Sequence, residues 1–267
     1  MSVQVVKPSE AEIAEKRAWE LRRALVDQGK YEEALESLDQ SLRKQHSRKS
    51  LLYRERAYLH LCFDCPQEAR SDFDTTARLD AADFHERPSR LHSDSEYNAI
   101  GVTYWMEDRE ELALAFWRYT TNMLCAGRVS YSHLGGGIEA GLLLWFGAVR
   151  ERNQDDTALV RRLFEKRLAS TYWSHNLTSW PGPIVRFFLE SISEEDLLNE
   201  ARNARDLCNA HFALAIRARA VRRYAVYQEH VRLAAQREST SRLCDFYNAL
   251  PFYLARHEVK TSSKSRR

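Results

Sequence analysis

Two stretches of this chain spell out the same pair of helices, and that recurrence limits what it can fold into more than any other feature. In Asp94 to Gly127, Tyr97, Ile100, Gly101 and Tyr104 belong to a first helix. Ala113, Trp117 and Thr120 belong to a second, after a turn at Glu107 to Arg109. Gly101 and Ala113 are small enough to let two helices approach, while Tyr104 and Trp117 fill the space beside them. Ser50 to Asp83 repeats the order with Tyr53, Ala57, Ala69, Phe73 and Thr76. Recurrence at a period of about 34 residues predicts a row of helix pairs in which each unit packs mainly on its neighbours.

Fainter copies flank these two. Glu15 to Arg48 keeps Leu21, Gly29, Tyr31, Ala34 and Leu38, with Arg22 where a small residue is expected. Cys208 to Ser241 keeps Leu214, Ala215, Tyr224, Val231 and Ala234, with Arg222 in the turn. Only nine Gly and six Pro interrupt 267 residues, and 44% hydrophobic against 29% charged residues is enough to bury a core. The reading is an all-α chain in four parts. Residues 9–127 hold three helix pairs and 128–193 an irregular helical region with a Gly-rich loop. Residues 194–258 hold a last pair and a capping helix, and 259–267 a disordered basic tail.

Local signals refine this. Ala81 to Ser93, with Pro88, reads as a long surface connection, and Gly127 to Gly137 as a flexible joint. Helices are expected over Ile138 to Arg150, Ala158 to Leu168 and Ile184 to Glu190, the last opened by Pro181 and Pro183. Ser193 followed by Glu194, Glu195 and Asp196 marks another helix start. Arg242 to Glu258 reads as the capping helix, interrupted by Pro251. The first residues do not form a secretory signal, and the longest apolar run, Gly141 to Val149, falls short of the roughly 20 residues that cross a bilayer. Five cysteines without regular spacing suit a reducing compartment. A cytoplasmic location with no membrane contact is expected.

The residue order in these pairs resembles that of tetratricopeptide-repeat proteins along roughly the whole chain, which implies an α-solenoid. The second half also resembles the family of the bacterial lipoprotein adaptor NlpI, through Leu144-Trp145, Trp180 to Leu189, Ile192-Ser193, Leu197-Leu198 and Leu254-Ala255. The lipid-anchoring cysteine of that family has no counterpart, so only its adaptor logic and a possible homodimer carry over. Tetratricopeptide arrays hold partners on a concave face lined by first helices. That implies partner-binding roles for Trp19 and Arg23 with Val26, for Arg54 and Tyr58 with Leu61, and for Asn98, Val102 and Trp105. A carboxylate clamp of the kind some arrays use would suit Lys16 and Arg23, but Glu55 and Ser95 stand where it needs an amide and a cation.

Other residues that carry chemistry have plainer explanations. Cys62 and Cys65 form a CxxC, but no second such pair and no thioredoxin-like strand pattern accompany it, so they read as structural cysteines. His133 to Gly137 lacks the nucleophile or phosphate-loop residues that would make it an oxyanion or phosphate loop. The paired carboxylates Glu110-Glu111, Asp155-Asp156 and Glu194-Glu195 are adjacent and so diverge on a helix. No catalytic set, metal site or cofactor is expected. From Glu194 onward there are 14 Lys and Arg against nine Asp and Glu, in a chain of net charge +2. Arg217, Arg219, Arg222 and Arg223 therefore form a candidate patch for an acidic partner, with salt bridging to Glu195, Glu200, Asp206 and Glu229 as the alternative. Nucleic acid is a weaker expectation, because no groove-reading motif is present. Taken together, the sequence suggests a non-enzymatic adaptor or scaffold for a protein or peptide. Sequestration of one cognate partner, as by an immunity or chaperone-like protein, is the alternative, with nucleic-acid association behind it.

Overall fold

A computed structural model describes residues 10–44, 49–86, 95–128, 137–169, 179–236 and 249–264, of which 10–15, 81–86 and 263–264 are described by their backbone alone. The described residues form thirteen helices and no strand. They are α1 (Glu10–Asp27), α2 (Tyr31–Arg43), α3 (Lys49–Cys62), α4 (Pro66–Glu86), α5 (Ser95–Met106), α6 (Glu110–Cys125), α7 (Ile138–Glu151) and α8 (Gln154–Ala169). The rest are α9 (Gly182–Phe188), α10 (Glu194–Asn199), α11 (Ala204–Ala220), α12 (Tyr224–Ala235) and α13 (Leu250–Lys264).

One turn recurs. Between the helices of the pairs α1–α2, α3–α4, α5–α6, α7–α8 and α11–α12, a single residue takes a left-handed backbone: Gly29, Asp64, Asp108, Arg152 and Arg222, with φ between 54° and 73°. In each case the next amide donates back five residues, as from Lys30 to Leu25, Cys65 to His60, Arg109 to Tyr104, Asn153 to Ala148 and Arg223 to Ala218, at 2.8–3.0 Å. This bond satisfies a carbonyl that the ended helix leaves open and reverses the chain in two or three residues. Only Gly29 adopts this conformation without steric cost; the aspartates tolerate it better than an arginine does.

Close packing inside the pairs follows from the small residues. Ala57, Ala69 and Ala113 are fully buried. A methyl group on Gly101 would lie 2.7 Å from Cδ1 of Trp117 and closer still to the indole nitrogen. That nitrogen donates to the Asn98 carbonyl at 3.1 Å, which fixes the ring against α5. Successive rings then carry the core across the molecule: Trp117 on Trp105 (5.4 Å between centroids), Trp105 on Phe146 (5.0 Å) and Phe146 on Phe212 (4.9 Å). Each such ring contributes about 2–3 kcal/mol through burial. Trp145 stacks on Phe188 at 4.2 Å, and both rings lie in the core.

Arginine–carboxylate pairs stitch the units together. Arg22 of α1 binds Glu55 of α3 through two bonds of 2.9 Å, and Arg56 of α3 reaches Asp39 of α2 and Asp72 of α4. Arg70 of α4 pairs with Glu107 in the next turn. Arg118 of α6 grips Asp156 of α8 with two bonds of 2.6 Å. Arg22 thus occupies its small-residue position by burying its guanidinium, 2% exposed, against a dedicated carboxylate. Such pairs set register more than they add stability, because desolvation offsets much of their attraction.

Several boundaries differ from expectation. The connection read at Ala81 to Ser93 begins later, since α4 runs to Glu86; residues 87–94 lie outside the described part. The 128–193 region contains a regular hairpin, α7–α8, with the recurring turn at Arg152. Most of the Gly127 to Gly137 joint lies outside the described residues, although Gly127 and Gly137 both have positive φ. The capping helix begins at Leu250, with Pro251 in its first turn where a missing amide costs little, and continues through Lys264. The tail expected to be disordered over 259–267 is therefore helical as far as Lys264, and the part of the capping segment before Ala249 lies outside the described residues. At Ser193 the capping reading holds: its hydroxyl accepts from the Asp196 amide at 3.1 Å, and Asp196 accepts from the Ser193 amide at 3.0 Å.

The last helix decides the shape. Helix α13 packs against α11, α12 and α5, and Ala249, Leu250, Phe252, Tyr253, Leu254 and Ala255 are all at most 2% exposed. One core cluster runs from Ala57 to Ala255, and a smaller one lies beneath α1–α3. The chain folds back so that its end covers the first helices of earlier pairs.

Candidate interaction surface

The line of first-helix residues expected to face a partner closes progressively along the chain. Trp19 is 41% exposed, and Arg23 lies over its ring with the guanidinium carbon 4.5 Å from the centroid. The equivalent of Trp19 in the second unit, Arg54, is half-buried and paired with Asp80 at 2.9 Å and Glu96 at 2.6 Å. Tyr58, Asn98, Val102 and Trp105 are interior, at 6%, 0%, 0% and 1% exposure, as are Val26 and Leu61. Six of the nine residues expected at a groove surface are therefore covered. The cause is distant in sequence: α13 and α7 occupy the space in front of α5 and the end of α3.

The contacts that close this face are specific. The Tyr253 hydroxyl meets Cys62 Sγ at 3.2 Å. Glu258, 6% exposed, accepts from the Tyr227 hydroxyl at 2.8 Å and from Trp105 Nε1 at 3.4 Å, and also pairs with Arg150. Arg150 lies over the Trp105 ring at 4.9 Å and reaches Glu110 at 2.8 Å. Four helices thus meet at one carboxylate, and burial together with Glu258 pushes the Tyr227 phenol well above its usual range. Outside this knot, Arg256 and Lys260 face Asp64 at 3.5 Å, and His257 faces Asp108 at 3.7 Å. The Asn98 side-chain amide has no hydrogen-bond partner among the described residues.

The two clamp-position residues are both engaged internally, Glu55 with Arg22 and Ser95 as a donor to Glu96 Oε1 at 2.9 Å. The CxxC cysteines also have structural roles. Cys62 is buried against Tyr253, while Cys65 donates to the Phe63 carbonyl at 3.5 Å and burial raises its thiol pKa. Beside it, Tyr31 Oη meets His60 Nδ1 at 2.7 Å, with His60 Nε2 3.6 Å from Asp72. Desolvation holds His60 toward neutrality and raises the Tyr31 phenol, so this relay is poorly suited to generating a thiolate. Among the described residues no group of three or more His, Cys, Asp and Glu is arranged to hold a metal ion.

The arginine-rich end divides in two. Arg217 pairs with Glu190 at 2.6 Å, and Arg219 lies over the Tyr227 ring at 5.0 Å. Arg222 and Arg223, in the α11–α12 turn, are exposed and form no ion pair among the described residues. Of the acidic residues considered as internal partners, Glu229 pairs with Arg232 and Glu200 with Arg186, both at 2.7 Å. Asp206 instead supports the Asn203 cap of α11, receiving the Arg202 amide at 3.2 Å and the Asn203 side chain at 2.9 Å.

No model of a known protein family matches this chain, and no curated protein matches it either. Among the described residues no helix is long and apolar enough to cross a membrane.

Proposed function

We propose that the chain is a cytoplasmic, non-catalytic adaptor that holds a partner protein or peptide at the open end of a degenerate tetratricopeptide-type solenoid. The solenoid reading is supported by the recurring left-handed turn and by small residues at the helix crossings of α3–α4 and α5–α6. The adaptor reading rests on one observation. Along the line of first-helix residues, only the first unit keeps a large aromatic side chain at solvent, Trp19, with the Arg23 guanidinium stacked on it. An aromatic ring and an arginine together offer wide apolar area and directed donors, the combination that dominates binding energy at protein interfaces. Leu21 at 54% and Leu51 at 47% exposure add apolar area at the same end of the chain. Helical spacing puts Leu21 on the opposite flank of α1 from Trp19 and Arg23, so the partner would sit on the Trp19 flank.

The test is affinity capture from native extract at moderate and high salt, with the wild-type chain and a W19A/R23E variant whose thermal unfolding matches it. A specific protein retained at high salt and lost in the variant supports the adaptor. Identical recovery by both chains, or no specific protein with either, would refute it.

A further inference from the structure

The turn between α11 and α12 is unlike its counterparts. In the second and third pairs the left-handed residue is an aspartate with a basic neighbour on α13, Arg256 and Lys260 for Asp64 and His257 for Asp108. In α7–α8 and in the last pair it is an arginine, Arg152 and Arg222, but only Arg222 is followed by a second arginine, Arg223, and neither Arg222 nor Arg223 has an acidic partner among the described residues. The two arginines are bracketed by Val221 at 55% and Tyr224 at 51% exposure. The second helices α2, α4, α6 and α8 each begin with an acidic first turn, but α12 does not. Two unneutralised guanidinium groups and two exposed apolar side chains therefore share one four-residue turn. An arginine is strained in this conformation relative to glycine, and no side-chain ion pair of Arg222 among the described residues offsets the strain.

We infer that the Val221–Tyr224 turn is a second docking point, one that takes an acidic protein segment carrying an apolar or aromatic side chain. Adjacent arginines can fork carboxylates with paired donors, and the flanking Val221 and Tyr224 cover the apolar part of such a segment. The scale of the patch disfavours polyanions. Clusters that bind anionic membranes gather about 4–8 basic residues, and nucleic-acid affinity grows with each phosphate neutralised, whereas Arg217, Arg219 and Arg232 are already engaged internally. The inference extends the adaptor reading with a contact independent of Trp19, so either can fail alone.

The probe is a short fluorescein-labelled peptide of repeated Glu-Glu-Leu-Phe blocks, titrated by fluorescence anisotropy against the full chain at low and moderate salt. Arg222→Gly suits the turn's backbone, so it removes the charge without unfolding the hairpin. It should weaken peptide binding about tenfold, equivalent to about 1.4 kcal/mol, and leave the thermal midpoint equal or higher. Tyr224→Ser should weaken binding several-fold, while Arg152→Glu, in another exposed turn, and Trp19→Ala should leave it unchanged. Equal losses with Arg152→Glu would overturn the inference. So would tighter binding of oligouridylate or of phosphatidylcholine–phosphatidylserine vesicles, or the absence of peptide binding by the wild-type chain.

Discussion

Trp105 and Glu258 lie 153 positions apart in sequence, yet the indole of Trp105 donates to the Glu258 carboxylate inside the protein. That bond joins the first helix of the third pair to the last helix of the chain, and it explains why a face that reads as a binding groove is interior. Replacing Glu258 with Ala leaves Arg150 without one of its two carboxylates and Tyr227 without its acceptor, and should cost about 3–5 kcal/mol. Gln retains an acceptor and should cost less, about 1–2 kcal/mol. Urea unfolding of both variants checks the order; an Ala variant as stable as wild type would show that α13 is not held through this carboxylate.

Helix packing within the third pair depends on Gly101. Its replacement by Ala pushes a methyl group into the Trp117 indole, which the Asn98 carbonyl holds in place. Overpacking of this kind costs about 1–3 kcal/mol, measurable as a lowered denaturation midpoint. The reason to expect a loss and not the usual gain from removing a helical glycine is that the neighbour is a fixed ring.

Arg22 and Glu55 form a pair that neither residue suggests alone. Removing Arg22 takes the bidentate partner from a mostly buried carboxylate, and removing Glu55 takes it from a buried guanidinium, so each single Ala change should cost about 3 kcal/mol. Changing both to Leu and Met should recover most of that loss. A double-mutant cycle with no coupling between the two positions would contradict the pairing.

Acid should weaken the last hairpin. His211 of α11 and His230 of α12 face each other with Nδ1 atoms 3.2 Å apart, a contact that holds one proton and not two. Burial lowers both pKa values; His230 lowers His211 further, while Glu194 and Glu229 oppose the shift at His230 and Arg223 adds to it. A folded-state pKa below the unfolded value means the native state binds fewer protons in this range. The contribution is fully present above the ordinary histidine pKa of about 6.5 and is lost as pH falls below it. Stability measured from neutral to mildly acidic pH should therefore fall less steeply in a His230→Gln variant than in wild type, with His60 and His257, also shifted down by burial, supplying the remaining slope.

How far the sequence could be read depended on distance along the chain. The pairs α3–α4 and α5–α6, the Gly29 turn, the proline-led helix after Trp180 and the Ser193 cap were all legible, because each rests on residues within a few turns of one another. The burial of Tyr58, Asn98, Val102 and Trp105 was not, since it depends on Tyr253 and Glu258 arriving from the far end of the chain. The arginine-rich end was legible only as composition. Which arginines remain unpaired follows from Glu190 reaching Arg217 across 27 positions and from Arg219 settling on Tyr227. Trp19 and Arg23, one helical turn apart, were legible because their spacing alone brings the guanidinium over the ring, and Trp19 stays 41% exposed.

The most direct measurement is hydroxyl-radical footprinting of the free chain and of the chain bound to its captured partner. The account predicts that in the free chain Trp19 oxidises readily while Trp105 and Tyr58 are protected, and that partner binding then shields Trp19. Rapid labelling of Trp105 and Tyr58 in the free chain, or Trp19 left equally reactive in the complex, would contradict it.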